Sequence, residues 1–243
     1  MNNNPFLEVR NLTKRYRSLT AVSDVSFSIS RGEILGLIGP NGSGKTTLFE
    51  CLGGTLPANG GTVVFNGRAL DLNQRKSLLF YLPDAITPWP MQSLQWAIEF
   101  TLELFGGRRE LRDDVVRRLD LEALLNKRMG ALSKGQRKRA LLAIGLLMPQ
   151  PLLVADEPFE GLDLRQTREI ALALRSFAGE NRTMLLSIHQ ISDAARVCDR
   201  FVLLSAGRSC GEGTLAELSN LAGERRGRAT FKADLEEVFL ALT

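Results

Sequence analysis

The chain has 243 residues, of which 44% are hydrophobic, and a formal net charge of +4. This length suits one large domain or one domain with a subdomain, and three cysteines without metal-like spacing are too few for a disulfide scaffold. We expect no signal peptide, because the first residues lack a basic and an apolar region, and no apolar run approaches the ~20 residues that cross a bilayer. A reducing compartment fits best, with any membrane contact made through a partner.

The first elements predict a small antiparallel sheet. Residues 7–12 and 25–29 alternate apolar and polar side chains, as strands with one buried face do. Residues 62–65 form a third short apolar run, followed by Asn66 and Gly67, a pair typical of tight hairpin turns. We expect these strands to pack beside the strand that begins at residue 33.

Residues 39–46, GPNGSGKT, fit the phosphate-binding pattern G-x-x-x-x-G-K-[ST] at every fixed position. The apolar run 33–38 predicts a buried strand before this loop, and 47–52 predicts a helix after it, with its positive dipole end toward the phosphates. Glycines let successive N–H groups surround the β- and γ-phosphates of a nucleotide, Lys45 adds a positive charge, and the Thr46 hydroxyl is placed to bind Mg²⁺. The predicted nucleotide-binding residues of this loop are Gly39, Pro40, Asn41, Gly42, Ser43, Gly44, Lys45, Thr46 and Thr47.

A helical segment separates the two halves of the predicted sheet. Residues 78–82 form an apolar run that predicts a central strand, and Pro83, Pro88 and Pro90 then mark a loop. From residue 93 to about 147 the apolar residues recur at helical spacing, which predicts a helical insert of ~55 residues.

Within that insert, a second helix start suits an anion. Ser133 is a suitable N-cap, and Gly135 leaves the backbone open, so the N–H groups at this helix start can bind phosphate. A single nucleotide has one γ-phosphate to share between two such sites. We therefore expect two chains to combine, with each nucleotide held between the phosphate-binding loop of one copy and the Ser133 helix of the other.

Three candidate catalytic side chains follow predicted strands. Asp156 and Glu157 end the apolar run 152–155, and the carboxyl end of a strand lies at the rim of the sheet where ligands bind. Asp156 is suited to the water shell of Mg²⁺, and Glu157 to activating the attacking water as a general base. His189, the only histidine, follows the run 183–188 and is predicted to contact the γ-phosphate. The alternatives are turn residues for the two carboxylates and a surface or core histidine.

After residue 151 strands and helices alternate, which predicts a mostly parallel sheet covered on both faces. Asp234 is a plausible N-cap for a terminal helix, with Glu237 at the capping-box position. The other predicted elements are a helix at 164–177, strands at 183–188 and 201–204, and a short helix between those strands.

These motifs, in their order along the chain, resemble those of the ATP-binding cassette (ABC) ATPases. The resemblance covers nearly the whole chain, and the signature separates this family from other P-loop NTPases. The matching positions are Tyr16, where the family has an aromatic that stacks on adenine, Walker A at 39–46, the signature LSGGQ at 132–136 with Lys134 in place of its first glycine, Walker B at 152–156 with Glu157 at the catalytic position, the D-loop at 161–163 and the switch histidine at His189.

The resemblance implies an α/β fold: a P-loop NTPase core with a mostly parallel sheet, an antiparallel β subdomain and a helical subdomain. We expect one ABC ATPase domain over the chain, with the core and antiparallel subdomain in 1–84 and 150–218. The helical subdomain is expected at 85–149 and a C-terminal extension at 219–243. ATP and Mg²⁺ are the implied cofactors.

The resemblance also implies a head-to-tail dimer with a second copy or a homologous ATPase. Ser133, Gly135, Gln136 and Asp163 would then contact the nucleotide across the dimer. Asp84 stands where the family usually has glutamine. Its carboxylate can reach Mg²⁺ through water, which would add it to the metal-binding residues Thr46 and Asp156, or it is a loop residue without metal contact.

The implied function is the ATP-hydrolysing subunit of an ABC transporter, cytoplasmic and peripheral on the inner face of the membrane. An integral membrane subunit is expected to dock near 84–96, where Trp89 and Trp96 either anchor a partner helix or fill the helical subdomain's own core. The ending 234–243 and the Ser-Lys-Gly signature resemble ATPases of ABC-2-type exporters.

Three other classes of ABC ATPase are alternatives to a transporter subunit. A soluble ABC ATPase of an iron–sulfur-assembly type remains the main alternative. A DNA-associated ATPase of the SMC-like class needs a long coiled-coil insert, and an ABC-F translation factor needs two cassettes in one chain; the sequence has neither. Basic clusters at 108–109, 137–139 and 225–228 lack interleaved aromatics, so no specific nucleic acid is expected as a partner.

Overall fold

The structure is a computed structural model that describes residues 5–84, 86–179, 182–226 and 234–243. The described residues form two β-sheets and nine α-helices in an α/β arrangement. Of these helices, none combines the length and the apolar character that a bilayer crossing requires.

A four-stranded antiparallel sheet contains the first strands, in the order β2-β1-β4-β5. The strands β1 and β2 are both longer than the alternating runs in the sequence predict. Bulges interrupt their pairing and reverse the alternation of buried and exposed side chains, so the alternating pattern ends before the strand does. Asn11 and Asp24 both have positive φ, 53° and 58°, a conformation these side chains tolerate, and their side chains bond to each other at 2.6 Å. The strands of this sheet are β1 (Leu7–Tyr16), β2 (Leu19–Ile29), β4 (Gly60–Phe65) and β5 (Arg68–Ala69).

A six-stranded sheet forms the centre of the molecule, in the order β10-β9-β3-β8-β7-β6. All neighbouring pairs are parallel except β9 and β10, which confirms the predicted mostly parallel sheet. The strands β3, β7 and β8 are buried along their whole length, as parallel strands covered on both faces are. The strands are β3 (Ile34–Ile38), β6 (Leu79–Leu82), β7 (Leu152–Asp156), β8 (Thr183–Ile188), β9 (Arg200–Ser205) and β10 (Arg208–Gly213).

The strand β10 was not predicted from sequence. Its residues, RSCGEG, include two glycines and little that favours a strand. A tight turn creates it: Ala206 and Gly207 both have positive φ, 46° and 76°, as the central residues of a type I′ hairpin do. The turn therefore folds this polar segment back onto β9.

Alternate residues of β3 point into two hydrophobic clusters, one on each face of the central sheet. Leu35 and Leu37 contact the cluster shared with α1 (Lys45–Gly53) and the antiparallel sheet. Ile34 and Ile38 contact the cluster shared with the remaining large helices. The molecule thus has three layers, with the parallel sheet in the middle.

The segment between β6 and β7 contains three α-helices, within the helical insert of ~55 residues that the periodicity predicts. The interval 119–133 holds only short 3₁₀ turns, at Glu122–Leu124 and Met129–Ala131. The helices of the insert are α3 (Leu94–Phe105), α4 (Arg112–Arg118) and α5 (Lys134–Leu147), and those elsewhere are α2 (Leu72–Leu78), α6 (Leu164–Gly179), α7 (Ile191–Val197), α8 (Leu215–Arg225) and α9 (Leu235–Leu242). Asp234 caps α9 as predicted, by accepting a hydrogen bond from the Glu237 backbone N–H at 2.9 Å.

A buried guanidinium fixes the end of α5 against the sheet. Arg182, which precedes β8, is 1% exposed and donates to the carbonyl oxygens of Gly145 and Met148 at 2.6 and 2.7 Å. Carbonyl groups in the last turn of a helix lack partners in a following turn; the Gly145 oxygen also accepts from the Met148 N–H at 3.3 Å, and the Arg182 side chain adds donors to both oxygens. Burial lowers the pKa of Arg182 to about 9, a sign of how completely the group is removed from water.

We predict that Arg182→Ala lowers the free energy of unfolding by about 2–4 kcal/mol, because it leaves a cavity and removes the guanidinium donors from two buried carbonyl oxygens. Arg165→Ala is the matched control: Arg165 is exposed and pairs with Glu169 on the surface of α6, so its loss is expected to leave the free energy of unfolding close to that of the wild type. Urea unfolding followed by circular dichroism measures both. Equal midpoints for the two variants would contradict this role of Arg182.

Candidate nucleotide-binding site

The phosphate-binding loop is held in a shape that only glycine permits at two points. Gly44, the N-cap of α1, has φ 105° and Gly42 has φ 81°. A Cβ at Gly44 would lie 2.4 Å from the Ala21 carbonyl oxygen, and one at Gly39 would lie 2.2 Å from the Leu204 carbonyl oxygen. The loop therefore packs tightly between β2 and the end of β9. Its N–H groups lie at the N-terminus of α1.

Polar groups within this loop fit a phosphate group. The Lys45 ammonium is buried and donates to the carbonyl oxygens of Gly39 at 2.8 Å and Pro40 at 3.4 Å. The Ser43 hydroxyl is buried and has no hydrogen-bond partner among the described residues. A buried hydroxyl without a partner is unusual in a folded protein, and a phosphate oxygen would satisfy it.

The end of β7 is bonded directly to the start of α1. Thr46 Oγ1 donates to Asp156 Oδ2 at 2.7 Å, and the Ser187 hydroxyl donates to the other oxygen of the same carboxylate. Ser187 in turn accepts from the Glu157 backbone N–H at 2.9 Å. A hydroxyl beside a carboxylate is the kind of oxygen donor that a hard cation such as Mg²⁺ takes in phosphate sites. The described residues contain no group of three or more His, Cys, Asp and Glu side chains placed to hold a metal, so a cation here would need phosphate oxygens and water as further ligands.

Ser187 is a member of the site that sequence reasoning missed. With Thr183 at the start of the strand, it is one of two polar residues in TMLLSI, the otherwise apolar run of β8. A fully buried hydroxyl on a central strand needs a partner, and that requirement is the signal that could have identified it.

Glu157 has a strained backbone and two partners for its carboxylate. Its φ is 48°, a conformation that costs a non-glycine residue on the order of 1–3 kcal/mol and that clusters at functional sites. Its Oε2 lies 2.8 Å from His189 Nδ1, and its Oε1 lies 3.4 Å from Lys45 Nζ. The structure thus brings together three side chains that the sequence analysis singled out separately.

These groups surround an open cleft of about 670 Å³. Tyr16 is one of the lining residues and is 42% exposed, and the Lys14 ammonium lies 5.1 Å from the centroid of its ring. The lining residues are Tyr16, Leu19, Thr20, Ala21, Asn41, Gly42, Gly44, Lys45, Thr46, Thr47, Asp84, Glu157, Glu160, His189, Ala206 and Gly207. The volume suits a nucleotide, and an aromatic face at one end with phosphate donors at the other matches its two chemical ends.

Asp84 lines the cleft, but its carboxylate is paired with Lys138 of α5. Partial burial acts to raise the pKa of Asp84, and the hydrogen bond and positive charge of Lys138 outweigh it, so the pKa lies below its ordinary value. This partner was not foreseen from the sequence, because the two residues lie 54 positions apart.

The signature residues do not line this cleft. Ser133 caps α5 in a capping box: its hydroxyl accepts from the Gln136 N–H at 3.2 Å, and its own N–H donates to Gln136 Oε1 at 3.1 Å. A Cβ at Gly135 would lie 2.8 Å from the Gly161 carbonyl oxygen, so α5 begins against residues 161–163 of the same chain. There Asp163 caps α6, with its carboxylate accepting from the Gln166 N–H at 2.8 Å. Within one chain, Ser133, Gly135, Gln136 and Asp163 are therefore not brought to the phosphate-binding loop.

Comparison with known proteins identifies the family. The sequence profile described as "ABC transporter" matches residues 22–160, and the chain belongs to this family. It is the ATP-binding subunit of an ABC transporter, and it is an ATPase. These matches favour a transporter subunit over a soluble assembly ATPase.

Relatives and solved structures agree with this assignment. The SkfA peptide export ATP-binding protein SkfE of Bacillus subtilis (strain 168) is 31% identical over 207 residues, which are 83% of this chain and 86% of that protein. The thiamine import ATP-binding protein ThiQ of Salmonella choleraesuis is 31% identical over 210 residues, 84% and 88% of the two chains. A solved ATP-binding subunit of an ABC transporter superposes with a TM-score of 0.84 at 27% identity, covering 98% of this chain and 99% of that one, which confirms the predicted fold class.

We predict that Gly44→Ala lowers the affinity for ATP about tenfold to a hundredfold, since the methyl group meets the Ala21 carbonyl oxygen in a left-handed backbone whose strain is worth about 1–3 kcal/mol. Gly60→Ala is the control, because no atom lies within 4 Å of its added Cβ. Equilibrium binding of a fluorescent ATP analogue compares the two. Wild-type affinity in Gly44→Ala would show that the loop does not need this backbone shape.

Proposed function

We propose that this chain binds Mg·ATP in the cleft and hydrolyses it as one half of a head-to-tail dimer that drives the membrane subunit of an exporter. The observation that carries this proposal is the placement of Glu157 between Lys45 and His189 at the phosphate end of the cleft. A carboxylate held beside a phosphate-binding lysine is positioned to act on water next to the γ-phosphate.

Each of these residues has a separate task. The loop N–H groups, Lys45 and the Ser43 hydroxyl hold the β- and γ-phosphates and offset the charge that develops on the transferred phosphoryl group. Glu157 orients the attacking water and accepts its proton at a carboxylate oxygen, while His189 holds that carboxylate and contacts the γ-phosphate. Thr46, Asp156 and Asp84 are the residues that would hold Mg²⁺ or its water shell. When bound, Mg²⁺ supplies further charge neutralisation and orients the phosphate oxygens. The Tyr16 ring would stack on the adenine.

A second copy, or a homologous ATPase, supplies what one cleft lacks. Ser133 is exposed at the start of α5 and does not line the cleft of its own chain, which supports a role against the nucleotide of a partner. Gly135, Gln136 and Asp163 would approach that nucleotide with it. Because the γ-phosphate would be shared by both chains, its removal by hydrolysis weakens the closed dimer, and reopening moves the attached membrane subunits.

The names of the relatives bear on the direction of transport. SkfE and a 29% identical lipopolysaccharide export protein, LptB of Haemophilus influenzae, are named as export proteins, although ThiQ is named as an import protein. With the exporter-like ending 234–243, this favours export. A subunit of this kind would lie on the cytoplasmic face of the membrane, held there by its partner.

The docking face is proposed at 84–96, of which residue 85 lies outside the described residues. Trp89 packs against the hydrophobic core of the helical segment, while Trp96 is 38% exposed and stacks on Phe100 with ring centroids 4.7 Å apart. Met91 beside them is exposed. Exposed aromatic and methionine side chains are typical of interface centres.

We predict that Glu157→Gln lowers the rate of ATP hydrolysis by about 10²–10⁴-fold with ATP affinity retained, because the amide cannot accept the proton of water. The trapped nucleotide would hold two copies together, so sedimentation with Mg·ATP should give a dimer. Glu122→Gln, the same change at an exposed position outside the cleft, is the control and should turn over ATP as the wild type does. A variant Glu157→Gln that hydrolyses ATP normally would remove this residue from the proposed chemistry.

We predict that Trp96→Ala reduces recovery of the co-expressed membrane subunit by about tenfold or more in co-purification, as loss of a central interface aromatic does. Its ATPase activity without the partner should be kept, since Trp96 does not line the cleft. Leu240→Ala, at an exposed apolar position on α9, is the control and should leave recovery unchanged. Equal recovery with both variants would place the interface elsewhere.

A further inference from the structure

We propose that Lys138 is a positioning residue that ties the signature helix α5 to Asp84 and to the end of β7, and that this tie is weakened when Mg²⁺ binds with ATP. The inference rests on the proposed function, because it requires a Mg·ATP site in the cleft. The inference goes beyond the proposed function because it assigns a role to a lysine that belongs to none of the six motifs.

The contacts of Lys138 join three parts of the chain. Its ammonium is buried, forms an ion pair with the Asp84 carboxylate and donates to the Asp156 carbonyl oxygen at 3.2 Å. One nitrogen on α5 therefore holds both the loop after β6 and the residue that bonds to Thr46. A buried ammonium is stable only with such partners, so these contacts constrain where α5 can lie.

Asp84 lines two neighbouring pockets. Its side chain is 36% exposed and lines the large cleft together with Thr46. It also lines a small pocket of about 170 Å³ with Lys138 and Arg137. The carboxylate thus lies between a cation that the protein supplies and the cleft in which Mg²⁺ is proposed to bind.

Two cations that share one carboxylate weaken each other. The Lys138 ammonium repels a nearby divalent cation and competes with it for the Asp84 carboxylate. It therefore lowers the affinity of the site for Mg²⁺. Coupling between two equilibria is reciprocal, so bound Mg²⁺ weakens the Asp84–Lys138 pair by the same factor. Binding of Mg·ATP would therefore loosen the connection of α5 to the nucleotide-binding loops, at the helix that carries Ser133.

The chain carries its own reporter of this region. It has two tryptophans, Trp89 and Trp96, and both follow Asp84 closely in the sequence. Their rings contact each other at 5.9 Å between centroids, and both contact Phe100 of α3. Intrinsic fluorescence therefore follows the segment next to the Asp84 loop without any label.

The test measures how much Mg²⁺ tightens nucleotide binding. The dissociation constant of the β,γ-imido analogue of ATP is measured by tryptophan fluorescence in the whole chain, once with Mg²⁺ and once with EDTA, and their ratio is compared between variants. A purely structural role of Lys138 would change both constants together and leave the ratio constant. Arg137→Gln is the matched control, since it removes a positive charge from the same small pocket without removing the ion pair.

We expect Lys138→Met to increase the Mg²⁺ effect about three- to tenfold and Asp84→Asn to decrease it by a similar factor, as expected for one nearby charge. The double variant should lie within about twofold of the wild type, because the two charges cancel. Lys138→Gln keeps a donor for the Asp156 carbonyl and should behave like Lys138→Met, so it replaces that variant if folding fails.

A Mg²⁺ effect in Lys138→Met or Lys138→Gln equal to that of Arg137→Gln overturns the inference while leaving the proposed function intact. A wild-type chain that does not bind the analogue with Mg²⁺ overturns both.

Discussion

The hydrogen bond between Thr46 and Asp156 connects segments that lie 110 residues apart, and the rest of the site depends on it. One partner begins α1 and the other ends β7, so the bond sets the phosphate-binding loop against the neighbouring strand ends. Ser187 extends the contact to β8 and to the backbone of Glu157. Parallel strands make this possible because their carboxyl ends meet at one edge of the sheet, where side chains from separate strands converge.

The site is also maintained against local strain. Glu157 keeps a left-handed backbone because Ser187 bonds its N–H group while His189 and Lys45 hold its carboxylate. The loop glycines are confined by carbonyl oxygens of β2 and β9. Strain of this kind persists only where the surroundings over-determine the conformation, and here these contacts hold the Glu157 carboxylate in one position. The cleft is thus a property of the central sheet as a whole.

The signature residues lie apart from the cleft, and the helix α5 connects them to the nucleotide-binding core. The helix α5 begins against residues 161–163 and continues into the hydrophobic cluster behind the sheet, with Arg182 holding its last turn. Ser133 and Lys134 at its start are exposed, and its second turn carries Lys138 into contact with Asp84. One rigid helix therefore touches the nucleotide core at both ends and carries Ser133, so a change at the nucleotide can be passed to it.

The sequence by itself determined the family, the mostly parallel sheet and the residues of the phosphate-binding loop, because each of these depends on short segments whose local pattern carries the chemistry. It also indicated Glu157 and His189, since both follow strongly apolar strands. Only the tertiary structure decided that Ser187 supports Asp156, that Asp84 pairs with Lys138, that bulges lengthen the first strands and that a tight turn adds β10. These features rest on contacts between distant residues or on single backbone conformations, and neither leaves a periodic signal in the chain.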